Sequence, residues 1–260
     1  MALLNMHFFS EVLALTSSLT IILPDTLYRG VGKAQDQAFP VLYLLHGGSD
    51  DHSNWTRNTS IERYAQDKGL MIVCPAVQYS FYADQKYGFD YFTYLSEELP
   101  RYLGRIFHIS NQREDTFAAG ISMGGYGAFK LGIVRPDKYA AVASLSGSLD
   151  QSKRLTPQSD LKNKVMQKMA YYSFGSLEEY EHSDNDLHYK LHEQLQAGQA
   201  LPRFYMACGT KDFNFEINNK FCETFKSKVD VSYKVVPDAA HTWDFWDAEI
   251  RHVLDWLPIR

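Results

Sequence analysis

The sequence predicts an α/β fold: a mostly parallel central sheet with helices on both faces and a helical insertion at one end of the strands. Three observations predict it. Short, wholly apolar runs of strand length alternate with stretches of helical spacing, the pattern of buried parallel strands joined by crossover helices. The chain has 260 residues, 45% hydrophobic and 22% charged, enough to bury one large core without disulfide or metal staples. One strand–helix junction, Gly120-Ile121-Ser122-Met123-Gly124, carries G-x-S-x-G where the chain must turn sharply.

The elements follow in order. Met1 to Leu23 reads as two strands, an antiparallel pair extending one edge; the second, Ser18 to Leu23, is β-branched and stops at Pro24. Val41 to Leu45 is the first buried parallel strand and runs into His46-Gly47-Gly48. Ser60 to Lys68 has helical spacing with Ser60 in N-cap position, and Leu70 to Cys74 is the next strand, ended by Pro75. Tyr91 to Phe107 is helical, with Pro100 kinking it or starting a new turn. Thr116 to Ala119 is the third buried strand, Tyr126 to Val134 the helix after the sharp turn, and Ala140 to Leu145 the fourth strand. Arg203 to Ala207 and Val231 to Val236 are the fifth and sixth, and Trp243 to Leu257 is a closing amphipathic helix ended by Pro258. Between them, Asp150 to Ala200 is polar, has no buried strand and is too long for a plain loop. It is expected to carry helices and, lying over the C-terminal strand ends where such folds bind ligands, to serve as a lid or cap. The chain therefore reads as one domain over 1–260.

Composition narrows the function. A net charge of -5 with no basic run argues against nucleic-acid partners. Cys74, Cys208 and Cys222 are scattered, without C-x-x-C spacing, so neither a disulfide framework nor a zinc knuckle is suggested. Reduced thiols favour the cytoplasm. Met1 to Leu23 has no Lys or Arg and is divided by Glu11, unlike a signal peptide, and no run reaches the length of a membrane span. The oligomeric state is open, a homo-oligomer included.

The junction at Ser122 carries the chemistry. A serine on a strand–turn–helix elbow is held in a strained conformation that lifts its hydroxyl clear of the sheet, and Gly120 and Gly124 leave no side chain to collide with neighbouring backbone. The N–H of Met123 falls at a helix N-terminus, where an oxyanion would be stabilised. A serine needs a histidine to take its proton and a carboxylate to orient that histidine, in chain order Ser, acid, His for this arrangement. His241, in the loop before the last helix, is the candidate base. Asp212, after the fifth strand, is the candidate acid; Asp238 is its rival, and Glu216 a poorer third. A histidine base must be neutral to act, so kcat/KM is expected to rise through the ordinary imidazole range, about pH 6.5.

The second oxyanion donor is expected from the Gly47–Gly48 turn, with Gly48 favoured because a glycine lets substrate approach closely. Trp55, Tyr79, Phe81, Tyr82, Tyr87 and Phe89 form an aromatic-rich region on the flanking loops, of which Trp55, Tyr82 and Phe89 are the candidates for a substrate pocket. His188 and His192 have the i, i+4 spacing of a metal pair but lack the intervening zinc-protease Glu, so a solvated helix face is expected and no metal. Gly120 to Lys130 fits neither a phosphate loop nor G-x-G-x-x-G.

Leu44-Leu45-His46-Gly47-Gly48, Tyr87-Gly88-Phe89-Asp90-Tyr91, Glu97-Glu98-Leu99-Pro100 and Gly120-Ile121-Ser122-Met123-Gly124-Gly125-Tyr126-Gly127 resemble the tributyrin esterases of Gram-positive bacteria. Those belong to the wider esterase D group, with S-formylglutathione hydrolases, feruloyl and acetylxylan esterases and mycolyltransferases. The similarity runs nearly end to end, from Phe8-Phe9-Ser10-Glu11-Val12-Leu13 onward. It implies an α/β-hydrolase fold, a bacterial source and hydrolysis of short-chain, small-molecule acyl esters without a cofactor. By position it supports Ser122, Asp212 and His241 as the triad, with oxyanion donors at Met123 and in the His46 to Gly48 loop. Where related sequences commonly carry a glycine after His-Gly, this chain has Asp50-Asp51, carboxylates able to repel anionic substrates. Alternatives within the same chemistry are a thioesterase of the S-formylglutathione hydrolase type, a carbohydrate (acetyl or feruloyl) esterase, or a transferase with a sugar acceptor. A non-catalytic binding module on a hydrolase fold is disfavoured, because all three triad residues are in place.

Overall fold

The computed structural model describes residues 1–24, 38–157 and 161–259, with the side chains of 161–163 left aside. Its strands form one eight-stranded sheet in the order β1-β2-β4-β3-β5-β6-β7-β8, with β1 at Ala2–Ser10, β2 at Leu15–Leu23, β3 at Val41–Leu45, β4 at Met71–Pro75, β5 at Thr116–Ile121, β6 at Ala141–Leu145, β7 at Arg203–Gly209 and β8 at Val231–Val236. β2 runs antiparallel to both β1 and β4; every other neighbour is parallel. The C-terminal ends of β3 to β8 thus share one edge.

Alternation along the strands divides the core into two layers. Val41, Tyr43 and Leu45 of β3 face one layer with Phe129, Phe204, Phe221 and Phe225. Leu42 and Leu44 face the other with Trp55, Ile61, Phe245, Trp246 and Ile250. The second layer is closed by α1 (Asn54–Asn58), α2 (Ile61–Gln66) and the final helix α10 (Trp243–Trp256). Ser60 occupies the N-cap of α2 but makes no capping bond; the Thr59 hydroxyl accepts from Ile61 N–H at 3.1 Å instead.

The stretch expected as one kinked helix is α3 (Tyr91–Thr93), a π-helical turn over Tyr94–Glu98 and α4 (Leu99–Leu103). Pro100 has no N–H for the carbonyl of Ser96, and Lys138 Nζ donates to that oxygen at 2.6 Å. The π turn carries Glu98 beneath the β1–β2 hairpin, where its carboxylate accepts from the Ser10 hydroxyl and, at 2.7 Å, from the Glu11 N–H.

After β5 comes α5 (Met123–Val134), buried almost throughout. The segment expected to be helical insertion contains α6 (Leu161–Phe174), α7 (Leu177–Tyr180) and α8 (Leu187–Gln196). It is tied to α5 by Tyr126 Oη and Lys130 Nζ, which donate to the backbone and side-chain oxygens of Asn185 at 2.7 and 2.6 Å. α9 (Phe215–Phe225) follows β7. The three cysteines are free thiols. No helix among the described residues is long and apolar enough to cross a membrane.

Candidate active site

Each candidate triad and oxyanion residue lies just beyond the C-terminal end of a parallel strand: His46 to Gly48 after β3, Ser122 and Met123 after β5, Asp212 after β7 and His241 after β8. Ser122 adopts φ 52° and ψ −114°, a strained conformation for a residue with a side chain. It is held there by its N–H bond to Leu145 O at 2.9 Å and by the Ser148 N–H on its own carbonyl at 3.0 Å. The turn is this tight because α5 lies almost against the strands. A Cβ on Gly124 would come within 2.7 Å of His46 O and closer still to Leu45 O, and one on Gly120 would strike the backbone of Gly124.

The elbow brings three side chains into line. Ser122 Oγ is 3.0 Å from His241 Nε2, and His241 Nδ1 is 3.0 and 2.9 Å from the two oxygens of Asp212. A carboxylate only accepts, so Nδ1 carries the proton and Nε2 presents a lone pair to the serine hydroxyl. The Asp212 side chain is wholly buried. Burial pushes its carboxyl up, but the hydrogen bonds and charge of His241, then Ser146 and the Asn214 N–H, outweigh burial and hold it below the usual carboxylate range. Asp238, the rival acid, is 82% exposed and pairs with Lys211 at 2.8 Å, while Glu216 lies inside α9.

The imidazole of His241 sits between two rings. Trp246 meets it edge-on at 4.8 Å, and Phe213 covers it with a centroid separation of 4.1 Å and a tilt of 37°. Trp246 is in turn fixed by its indole N–H on Ser146 Oγ at 3.0 Å, and Asn214 Nδ2 donates to Ser146 O at 2.9 Å. Ser146, Asn214, Trp246 and Phe213 escape sequence reasoning because no motif marks them. Their one signal is position, beside a strand end or beside a candidate triad residue.

His46 is a brace under the neighbouring turn. Its Nδ1–H donates to Gly47 O at 2.7 Å and its Nε2 accepts from Val77 N–H at 3.2 Å. Burial lowers its pKa to about 4, so it is neutral at ordinary pH, in the tautomer these bonds require. Burial raises the Asp50 carboxyl above its ordinary range, against the backbone hydrogen bond from Gly47 that pulls it back. Asp51 accepts from the N–H and hydroxyl of Ser53 at 2.7 and 2.6 Å and so serves the start of α1.

The expected pocket residues are placed differently. Trp55 is fully buried, donates to Leu45 O at 3.1 Å and packs edge-on against Trp243. Tyr82 is fully buried and its hydroxyl donates to His46 O at 2.8 Å. Both support the site from behind and cannot wall an open pocket. Phe89 is 46% exposed and lies edge-on to Tyr91 in the turn before α3. The aromatic ring beside the turn is Tyr79, which lies 2.9 Å from where a Gly48 Cβ would stand, its hydroxyl on the sulfur of Met166 in α6. His188 is not solvated as expected: it packs on Phe221 and Phe225 at 5.1 and 5.5 Å, and His192 lies against Phe225.

Comparison with known proteins places the chain as a whole. The model of the Esterase family, described as "Putative esterase", matches residues 10–257. An acetyl esterase of Caldicellulosiruptor saccharolyticus is 29% identical over 263 residues, covering 99% of this chain and 98% of that protein. A substrate-bound fluorophosphonate-binding serine hydrolase of Staphylococcus aureus superposes with a TM-score of 0.85 at 29% identity, covering 98% of both chains. An S-formylglutathione hydrolase of the same organism gives 0.81 at 28% identity, again over 98% of both.

Proposed function

The chain belongs to the Esterase family and is a carboxylic ester hydrolase of α/β-hydrolase fold, and from that premise we propose a serine carboxylesterase of the tributyrin esterase type, acting on short-chain acyl esters of small molecules. The observation that carries the mechanism is the hydrogen-bonded line from Asp212 through His241 to Ser122, with separations of 2.9–3.0 Å. His241 Nε2 takes the hydroxyl proton as Ser122 Oγ attacks the ester carbonyl. Asp212 keeps the proton on Nδ1 and steadies the imidazolium. The N–H groups of Met123 and Gly48 receive the oxyanion. Gly47 is the weaker candidate, since its N–H serves the Asp50 carboxylate. His241 then gives the proton to the departing alcohol, and water repeats the sequence on the acyl-enzyme.

The preference for short acyl groups rests on the resemblance of the elbow and His46 loops and on the full-length acetyl esterase relative. The segment at about 150–200 acts as a cap in this reading, Met166 of α6 reaching Tyr79 beside the Gly48 turn. A thioesterase would use the same triad, and the structural similarity to an S-formylglutathione hydrolase keeps that reading in play. The half-buried Asp50 next to the site favours neutral oxyesters over an anionic thioester.

The test is covalent labelling with a fluorophosphonate together with hydrolysis of p-nitrophenyl acetate, butyrate and decanoate. Wild type should label and prefer the two shorter esters. Ser122→Ala should remain folded, lose labelling and lose at least ~10⁴-fold in kcat. Undiminished turnover by folded Ser122→Ala would defeat the mechanism; a preference for decanoate would defeat only the short-acyl assignment.

A further inference from the structure

We propose that Phe213 is a specificity-determining residue that selects the alcohol half of the ester, favouring leaving groups with an aryl or bulky apolar substituent close to the ester oxygen. The inference rests on the serine-esterase reading given above.

Phe213 is the most exposed large apolar side chain among the described residues, at 67%. It does not hang from a loose loop. The Asn214 N–H donates to Asp212 Oδ1 at 2.8 Å, Asn214 Nδ2 to Ser146 O at 2.9 Å, and the Phe215 N–H to Asp212 O at 3.0 Å, so the backbone on both sides is pinned. One face of the ring lies on the His241 imidazole, 4.1 Å between centroids. Most of the rest faces water. Shielding the Asp212–His241 pair does not account for that outer surface, because the Asp212 side chain is already fully buried and the inner ring face alone covers the imidazole. A rigidly mounted apolar ring, open on its outer side and in contact with the acid–base residue, is a surface held ready for an apolar group.

The chemistry says which part of the substrate reaches it. In acylation the bond between carbonyl carbon and Ser122 Oγ forms and the bond to the alcohol oxygen breaks. His241 Nε2 delivers to that oxygen the proton it took from the serine, so the oxygen must come within hydrogen-bond reach of Nε2. The substituent on the oxygen therefore leaves the site beside the imidazole, where Phe213 stands. In deacylation the corresponding oxygen belongs to water and carries no substituent. Phe213 is thus expected to act on acylation by esters of bulky alcohols and to be silent in deacylation.

The experiment compares benzyl acetate with methyl acetate, whose acyl groups are identical and whose alcohols have similar acidity, in wild type, Phe213→Ala and Phe213→Leu. Wild type should prefer the benzyl ester in kcat/KM. Phe213→Ala should lower kcat/KM for the benzyl ester by about tenfold while changing the methyl ester less than about twofold, and Phe213→Leu should fall between. The deacylation rate constant, read as decay of a preformed acetyl-enzyme, should not move. Equal losses for both esters, or slowed deacylation, would show that Phe213 merely supports His241 and would overturn the proposal, as would a wild type that prefers the methyl ester. Failure of the underlying reading looks different: wild type would then neither label with fluorophosphonate nor hydrolyse either ester.

Discussion

Ser122 and His241 meet at 3.0 Å, yet the segments that deliver them are held by opposite means. The elbow is clamped by packing. Met123 to Ile133 of α5 are buried, and the turn survives only because Gly120 and Gly124 allow backbone to lie on backbone. The arm that carries His241 runs over the surface, and a few discrete bonds hold it: Asp238 N–H to Thr210 Oγ1, Lys211 N–H to Ala239 O and Thr242 N–H to Ala240 O, each at 2.9 Å. Trp246 then steadies the ring edge-on, while Phe213 lies over its outer side. The proposed nucleophile is therefore placed by the same interactions that fold the core, whereas the proposed base is placed by interactions the core does not need. Errors in the elbow should cost stability; errors in the arm should cost rate.

The largest expected effect breaks the arm. Asn at 212 keeps the volume and one acceptor, but its amide NH₂ can face Nδ1 and favour the wrong tautomer. Asp212→Asn should lower kcat by roughly 10³–10⁴ with little change in melting temperature. Asp238→Asn, three residues before the base but turned to solvent, should stay within about twofold of wild type. Steady-state kinetics and thermal melts on the pair decide the point; a larger loss at Asp238 would reassign the acid.

The matching change in the elbow is Gly124→Ala. Its Cβ would press on the carbonyls of Leu45 and His46, which are sheet and turn backbone and cannot swing away. We expect a loss of about 3 kcal/mol or more in chemical denaturation, with activity falling together with the folded fraction. A variant that melts like wild type but is inactive would show that the elbow, too, is adjustable.

The brace beneath the elbow side titrates. His46 has a pKa of about 4 in the folded chain, below the ordinary histidine value. Between the two values the unfolded chain binds the proton and the folded chain does not, so stability is full above the ordinary value and falls as pH drops toward 4. The loss amounts to about 3 kcal/mol. Protonation would also place an N–H on Nε2 opposite the Val77 N–H, opening the turn that carries Gly48. Asp212, held below its ordinary range, loses stability in the same direction at still lower pH. Denaturant midpoints at pH 7 and 4.5 should show the drop, and His46→Gln should shrink it.

The same contrast governs what the sequence reveals. The elbow is legible because its geometry demands particular residue types in a row: glycine where backbones touch, serine at the bend. The alternating strands are legible for a similar reason, since burial on both faces admits little but apolar side chains. The N-terminal Ser-Glu-Val-Leu and the Glu-Glu-Leu-Pro strings stand far apart in sequence, yet Ser10 and Glu11 both bond to Glu98. Only the fold shows that pairing. His241 and Asp212 could be placed by chain order, but their supports could not. Any residue that offers a hydrogen bond or a ring edge at the right point would serve, so Ser146, Asn214 and Trp246 leave no pattern. The pocket assignment erred for a related reason: an aromatic residue beside a site reads the same whether it faces the substrate, as a ring near Gly48 can, or lies behind the wall as Trp55 and Tyr82 do.

The smallest effect sharpens the comparison most. Trp246 belongs both to the buried layer under the sheet and to the grip on His241, and so joins the two modes of placement. Trp246→Phe keeps an aromatic edge near the imidazole but removes the indole N–H from Ser146 Oγ. The lost neutral hydrogen bond contributes about 1 kcal/mol and the indole volume removed from the buried layer about as much again, so the melting temperature should fall by about 6 °C. If ring packing alone steers the base, kcat should hold within about twofold. If the bond to Ser146 also matters, kcat should fall about fivefold with KM unchanged, because Ser146 touches Asp212 as well and the freed hydroxyl would loosen the acid along with the ring. We expect the second outcome. Asn214 already fixes the backbone of Ser146, but its hydroxyl is shared among the indole N–H, Asp212 and Cys208, so losing the indole leaves it free to turn.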